Sequence, residues 1–202
     1  MIRLFFIFLL VLIIFPLHSQ DFKKYYAVVW DVNQPLSNKD FVNNTSTRGG
    51  RFIYRESINN RFSVGGDLGF ATYHDHLPPQ VYASGNGSIY AELFTYVYNY
   101  SLSISGEYYF TEAFWLKPFA GFGIGASFNR YSSFYNVYGD TDRVWGALFR
   151  PHAGALIRFG NKSRWAARVS AHYDWATTRS ENFGYKNFSN LGADVGIVFM
   201  FK

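Results

Sequence analysis

Three groups of residues have types and spacing that chemistry could use. Gly121, Gly123 and Gly125 form a glycine run of the kind that lets a backbone approach phosphate. A spacing of two puts them on one face of a strand, and no helix follows to cradle an anion. Relief of crowding on that face is the plainer account. His74-Asp75-His76 offers two imidazoles and a carboxylate to a metal, yet no third ligand is evident. A solvated loop explains it as well, so no metal site and no cofactor is assigned. The largest group is a scatter of ionisable residues: Asp67, Glu107, Lys117, Arg150, His152, Arg158, Arg164, Arg168, His172, Asp174 and Asp194. Inside one narrow enclosure these must pair, because an unpaired buried charge is costly. They form either a structural ion-pair network or a constricted polar path for ions or a small solute. Basic members outnumber acidic ones, which gives such a path a slight anion preference.

The elements that must position these residues read as strands. From Trp165 to Thr177 the odd positions are Trp165, Ala167, Val169, Ala171, Tyr173, Trp175 and Thr177, against Arg164, Arg168, Ser170, His172 and Asp174 on the even ones. A period of two is a strand signal. Segments 114–128, 145–159 and 191–201 repeat it, and weaker strands fall near 25–33, 46–58, 61–73 and 88–110. Segment 46–58 alternates poorly because Arg48, Arg51, Arg55 and Glu56 interrupt it. Segment 88–110 is long for one strand, which places a bend near Tyr98-Asn99. Connections 34–45, 74–87, 129–143 and 179–188 are long and polar, whereas 59–60, 111–113 and 160–163 are short. Eight strands with long loops at one end and tight turns at the other predict an all-β, antiparallel, up-and-down transmembrane β-barrel.

Composition bounds the rest. The 202 residues include 22 Phe, 16 Tyr, 5 Trp and no Cys, and only 16% are charged. That excludes intrinsic disorder, a disulfide framework and cysteine-ligated metal sites. A basic start (Met1-Ile-Arg3) and an apolar run from Leu4 to Phe15, broken by Pro16, read as a signal peptide over 1–19, cleaved after Ser19, with the barrel domain over 20–202. The net charge of +5 is not gathered into a basic run, so nucleic acid is not an expected partner.

The two strand faces differ in size as well as polarity. An eight-stranded barrel has an interior just wide enough for side chains. Small residues with a few long charged ones fit inside it, and the bulky aromatics fit outside against lipid. Trp165 and Trp175 share one face ten residues apart, which is about 33 Å along a strand. Tilted, that becomes roughly 25 Å along the membrane normal, the height of the apolar band of such barrels. Phe110, Phe114, Phe159 and Trp165 should form the periplasmic aromatic girdle. Trp30, Phe128, Trp145, Tyr173 and Trp175 should form the outer one. In the third long loop, Tyr131, Phe134, Tyr135 and Tyr138 are candidates for a recognition surface or for strands extended above the membrane.

The segment Trp115-Leu-Lys-Pro-Phe-Ala-Gly-Phe-Gly-Ile-Gly-Ala126 resembles the Lys-Pro-Tyr-x-Gly-x-Gly-x-Gly strand of small bacterial outer-membrane β-barrel proteins, with Phe119 in the Tyr place. The ending Gly196–Phe201 is similar to their alternating C-terminal assembly signal, although Lys202 follows the last aromatic. Segment 61–73 resembles the small barrels of Bacteroidetes-type bacteria. The resemblance implies a Gram-negative outer membrane, contact with its lipid and lipopolysaccharide, and insertion by the barrel-assembly machinery. It leaves an extracellular ligand open. A lipid-modifying barrel enzyme would need a His and a Ser facing lipid. His152 and His172 face inward by parity, and Arg150-Pro-His152-Ala lacks a His-x-Ser arrangement, so no catalytic residue is assigned.

Overall fold

The alternation closes into a ring. A computed structural model describes residues 23–84, 87–111, 115–135, 138–160 and 163–201. Its strands are β1 (Lys24–Pro35), β2 (Ser46–Ser57), β3 (Phe62–Ser84), β4 (Gly87–Tyr109), β5 (Leu116–Tyr135), β6 (Tyr138–Arg158), β7 (Trp165–Ala176) and β8 (Phe188–Phe201). Each strand pairs with the next, and β8 pairs with β1 from Lys24↔Phe201 to Pro35↔Asn190, giving a closed eight-stranded antiparallel barrel. The signal-peptide reading and Phe114 lie outside the described residues.

Burial follows the period of two. In β7, Trp165, Val169, Tyr173 and Trp175 are exposed while Arg168, Ser170, His172 and Asp174 are buried. Trp165 is 50% exposed and Arg168 1%. The ring-bearing face therefore looks outward, and the charged face looks into the lumen. In water this arrangement would be inside out; against hydrocarbon it buries what must be buried.

Two loop expectations are corrected. Residues 74–84 and 87–92 are strand, continuing β3 and β4 to a tip at Ser84↔Gly87. Residues 129–135 and 138–143 likewise continue β5 and β6 to Tyr135↔Tyr138. Polar composition suggested loops, but cross-strand pairing keeps these segments extended. The irregularity expected near Tyr98-Asn99 is absent, since the β4–β5 register runs unbroken there. It lies on β3 between Leu77 and Gln80, where Pro78 and Pro79 cannot donate to a ladder.

β2 pairs with β3 only as far as Gly49↔Ala71, and β7 with β6 only as far as Leu148↔Ala176. Above those levels β3–β6 form a four-stranded sheet with two free edges. From the Ala71 level the four strands continue together for about 20 Å, to Leu93↔Tyr135, and the β3–β4 hairpin alone runs on to about 40 Å. Membrane strands need about 9–11 residues, so most of this length stands clear of the bilayer.

Candidate functional site

The lumen is built in layers. At the end bearing the short turns, Tyr25, Ala27, Val29, Ile53, Tyr109, Phe119, Leu156, Ala166, Val198 and Met200 pack into an apolar floor. At the other end Phe41, Val42, Ala71, Tyr73, Val97, Tyr131 and Phe188 pack into an apolar lid, with Val144, Phe183 and Tyr185 against it. The 36–45 connection contributes Phe41 and Val42 by folding back on a turn at Asn38, whose φ is +55°. The 177–187 connection contributes Phe183 and Tyr185, and the Tyr185 hydroxyl donates to Asp40 Oδ2 at 2.9 Å. Burial first, then the Asp40 carboxylate, pushes the Tyr185 phenol above its ordinary value.

Between floor and lid lie most of the charges, with Lys117 and Arg158 at the short-turn ends of β5 and β6. Glu107, fully buried on β4, is the lower hub. Its Oε1 lies 3.1 Å from Arg55 Nη2, 2.9 Å from Arg168 Nη2 and 3.3 Å from His152 Nε2. Its Oε2 accepts from Tyr25 at 2.9 Å and Tyr109 at 3.0 Å. Arg55 also holds Asp67 at 2.9 Å, and Ser105 donates to the same carboxylate. Arg168 lies over the Phe119 ring at 4.2 Å. In the middle, Asp194 binds Arg51 and accepts from Ser170 at 2.7 and 2.8 Å. Higher up, Arg150 grips Asp174 through two bonds of 2.6 Å and donates to Ser101 at 3.1 Å. Asn99, Ser127 and Asn129 close the stack, with Asn129 donating to Thr178 at 2.9 Å.

Of the sequence-predicted set, Asp67, Glu107, Lys117, Arg150, His152, Arg158, Arg168, His172, Asp174 and Asp194 are all buried in the lumen. Arg164 is not. It is exposed in the turn before β7, where strand parity does not hold, and its carbonyl accepts from Met200. Sequence reading missed Arg51, Arg55 and Asp31, all buried. The outward series Phe52, Tyr54 and Glu56 could have revealed Arg51 and Arg55 by parity, but Gly49, Gly50 and the flanking arginines hid it.

Asp31, His172 and Asp194 each offer a ligand atom within 4.8 Å of the others. His172 sits between the carboxylates, 3.7 Å from Asp31 and 3.6 Å from Asp194. Arg51 contacts both carboxylates as well, 3.6 Å from Asp31. It already supplies the positive charge a metal would bring. His74 and His76 lie on the outer face of the extension, stacked on Tyr96 and Phe94. His76 pairs with Glu92 at 2.6 Å.

Phe110, Trp145, Phe159 and Trp165 are at least half exposed, and Trp175 is 37% exposed. Trp30, Gly50, Phe70, Tyr100, Phe128 and Trp145 are successive partners in one row of the register. They form an outward belt toward the extended end. Of the four loop candidates, Tyr131 is corrected: it is fully buried in the lid, against Phe41, Phe183 and Phe188. Phe134 is exposed and meets Tyr96 edge-on, and Tyr135 stacks on Tyr138.

A closed antiparallel ring of eight strands, apolar outside and ionic within, has one well-populated precedent. The chain has the fold of a small outer-membrane β-barrel. It is similar to Ail, the attachment invasion locus protein of Yersinia pestis, at 10% identity over 89% of this chain and 97% of that one, with a TM-score of 0.50. Neisserial surface protein A gives 14% identity over 90% and 98% of the two chains, with a TM-score of 0.48. OprG from Pseudomonas aeruginosa gives 11% over 92% and 99%, with a TM-score of 0.48. No protein-family model matches the chain, and no curated protein matches it. The likeness is therefore one of fold, and this barrel's own residues must carry the argument about function.

Proposed function

We propose that the protein is a non-enzymatic, non-conducting barrel of the Gram-negative outer membrane that displays the β3–β6 sheet as an extracellular recognition surface. The observation that carries this is a lumen filled by side chains. An apolar floor and an apolar lid enclose the ion pairs, and the space left among Asp31, Arg51, Tyr73, Arg150 and Asp174 is about 10 Å³. That is about the room for one water. The alternative, a narrow channel, would need a continuous polar path, and the apolar clusters at the two ends argue against one. The exposed sheet carries Phe94, Phe134 and Tyr138, the kind of residue that dominates recognition surfaces.

The partners follow from the same reading. Outer-membrane lipid and lipopolysaccharide surround the wall, and the barrel-assembly machinery inserts the chain through its alternating β8. The Bacteroidetes-type origin rests on the Lys117-Pro118-Phe119 strand and the 61–73 segment. Planar-bilayer recording tests the central point. Refolded protein should give no conductance steps, and reproducible steps from heat-modifiable, folded protein would overturn the filled-lumen reading.

A further inference from the structure

The two hairpins of the extension differ in length. β5 and β6 turn back at Tyr135↔Tyr138, level with Leu93 on β4. Beyond that level, among the described residues, β4 pairs with β3 alone, as far as Ser84↔Gly87. A two-stranded ribbon standing by itself is marginally stable in water and gains from a third strand. Phe110 donates to Pro118 on β5, and the β4–β5 register runs unbroken from Tyr109↔Phe119 to Leu93↔Tyr135. Even-numbered residues of β4 therefore turn their N–H and C=O toward β5. Past Tyr135 that side is open, and Ser88 and Tyr90 present their backbone groups to it. Both residues are exposed, Tyr90 to 70%. The opposite edge of the ribbon is blunted, since Pro78 and Pro79 on β3 cannot donate to a ladder.

The extension is acidic in a chain whose net charge is +5. Residues 72–97 and 131–142 include Asp75, Glu92, Asp140 and Asp142 and no Lys or Arg. Asp75 accepts from Asn43 and Asn44, and Asp142 from Ser180, so these two hold the neighbouring connections in place. Glu92 and Asp140 stand exposed near the open stretch, with His76 beside Glu92. Tyr135 and Tyr138 stack at its base. A second copy in the same membrane is a poor occupant of this edge. A two-fold axis along the membrane normal leaves like strands parallel, whereas a symmetric edge-to-edge pair must be antiparallel.

We propose that the β4 edge from Gly87 to Glu92 captures an extended, basic segment of a partner protein by strand addition. The segment takes the place that β5 leaves open above Tyr135. Main-chain bonds to Ser88 and Tyr90 supply affinity, an apolar side chain packs on Tyr90, and Lys or Arg side chains meet the acidic surroundings of Glu92 and Asp140. This rests on the recognition-surface reading above and adds to it the edge that is used and the chemistry of the partner.

The test uses the whole protein refolded in detergent, with binding followed by fluorescence anisotropy. The probes are a short synthetic peptide of alternating Val and Lys and the same peptide with Glu for Lys. At low salt the Lys peptide should bind about tenfold more tightly than the Glu peptide. N-methylation of its alternate amides should weaken binding at one parity and not at the other, because only one edge of an added strand is paired. Tyr90→Pro removes an N–H from the open side and no bond to β3, and should weaken the Lys peptide about tenfold. No binding at about 1 mM peptide, equal binding of the two peptides, or binding that Tyr90→Pro leaves unchanged overturns the proposal. A dimer in sedimentation that Tyr90→Pro dissociates assigns the edge to a second copy and overturns it as well. Heat-modifiable migration in SDS reports the folding of each variant. A folded, non-conducting barrel that ignores the Lys peptide refutes the edge alone, whereas conductance steps from a barrel that still binds it refute the non-conducting reading and leave the edge standing.

Discussion

Replacing Glu107 by Gln should destabilise the barrel more than any other conservative exchange in the lumen. The carboxylate is fully buried and faces Arg55 at 3.1 Å, Arg168 at 2.9 Å and His152 at 3.3 Å. Gln keeps the shape and some hydrogen bonds but removes the charge. Arg55 then still holds Asp67 at 2.9 Å, while the nearest carboxylate left to Arg168 is Asp194 at 4.0 Å. Arg168 is the group left stranded. Removing one partner of a buried pair costs about 3–5 kcal/mol. With an m-value of about 2 kcal/mol/M, the urea midpoint should fall by about 2 M. The assay is urea unfolding in lipid vesicles, followed by tryptophan fluorescence and by loss of heat-modifiable migration. A second arm sharpens it: Glu107→Met combined with Arg168→Met removes both charges and should recover most of the loss. A Glu107→Gln midpoint within about 0.5 M of wild type, or about 1 kcal/mol, would refute the role of Glu107 as hub.

Other consequences can be checked as directly. Arg150→Ala strands the buried Asp174 and should cost about 3–5 kcal/mol, whereas exposed Arg164→Gln should stay within about 0.5 kcal/mol; comparable losses would contradict the lumen assignment. The chain has no native cysteine, so single-cysteine variants report sidedness cleanly. His76→Cys should react with a membrane-impermeant maleimide on intact cells, and Asn60→Cys only after permeabilisation; the reverse pattern would invert the barrel. Tyr185 has a phenol pKa raised above 10.0 by burial and by Asp40. Its contribution to the closed lid is present below pH 10 and is lost as the pH rises through the raised value. Near-ultraviolet circular dichroism should show an alkaline step that Tyr185→Phe removes, and a step below pH 10 would oppose this account. The absence of conductance steps, described above, completes the set.

What the sequence determined by itself was local and periodic. A strand presents alternate residues to opposite faces whatever surrounds it. Trp165–Thr177 thus announced its outward rings and its inward Arg168, His172 and Asp174, and the same rule placed Glu107 and Asp194 in the lumen. The rule failed where periodicity ends or is masked. Arg164 lies outside its strand, and Arg51 and Arg55 sit in a β2 whose glycines and arginines blur the two faces. Only the tertiary structure decided which charges meet. Glu107 reaches Arg55, Arg168 and Tyr25 across the barrel, over separations along the chain that no local pattern encodes. Nor could composition show that polar hairpin segments stay extended, because their order comes from ladder partners on neighbouring strands. The lid is the clearest case: Phe41, Tyr131, Phe183 and Phe188 come from three separate parts of the chain. They close the lumen only because barrel closure brings those parts together.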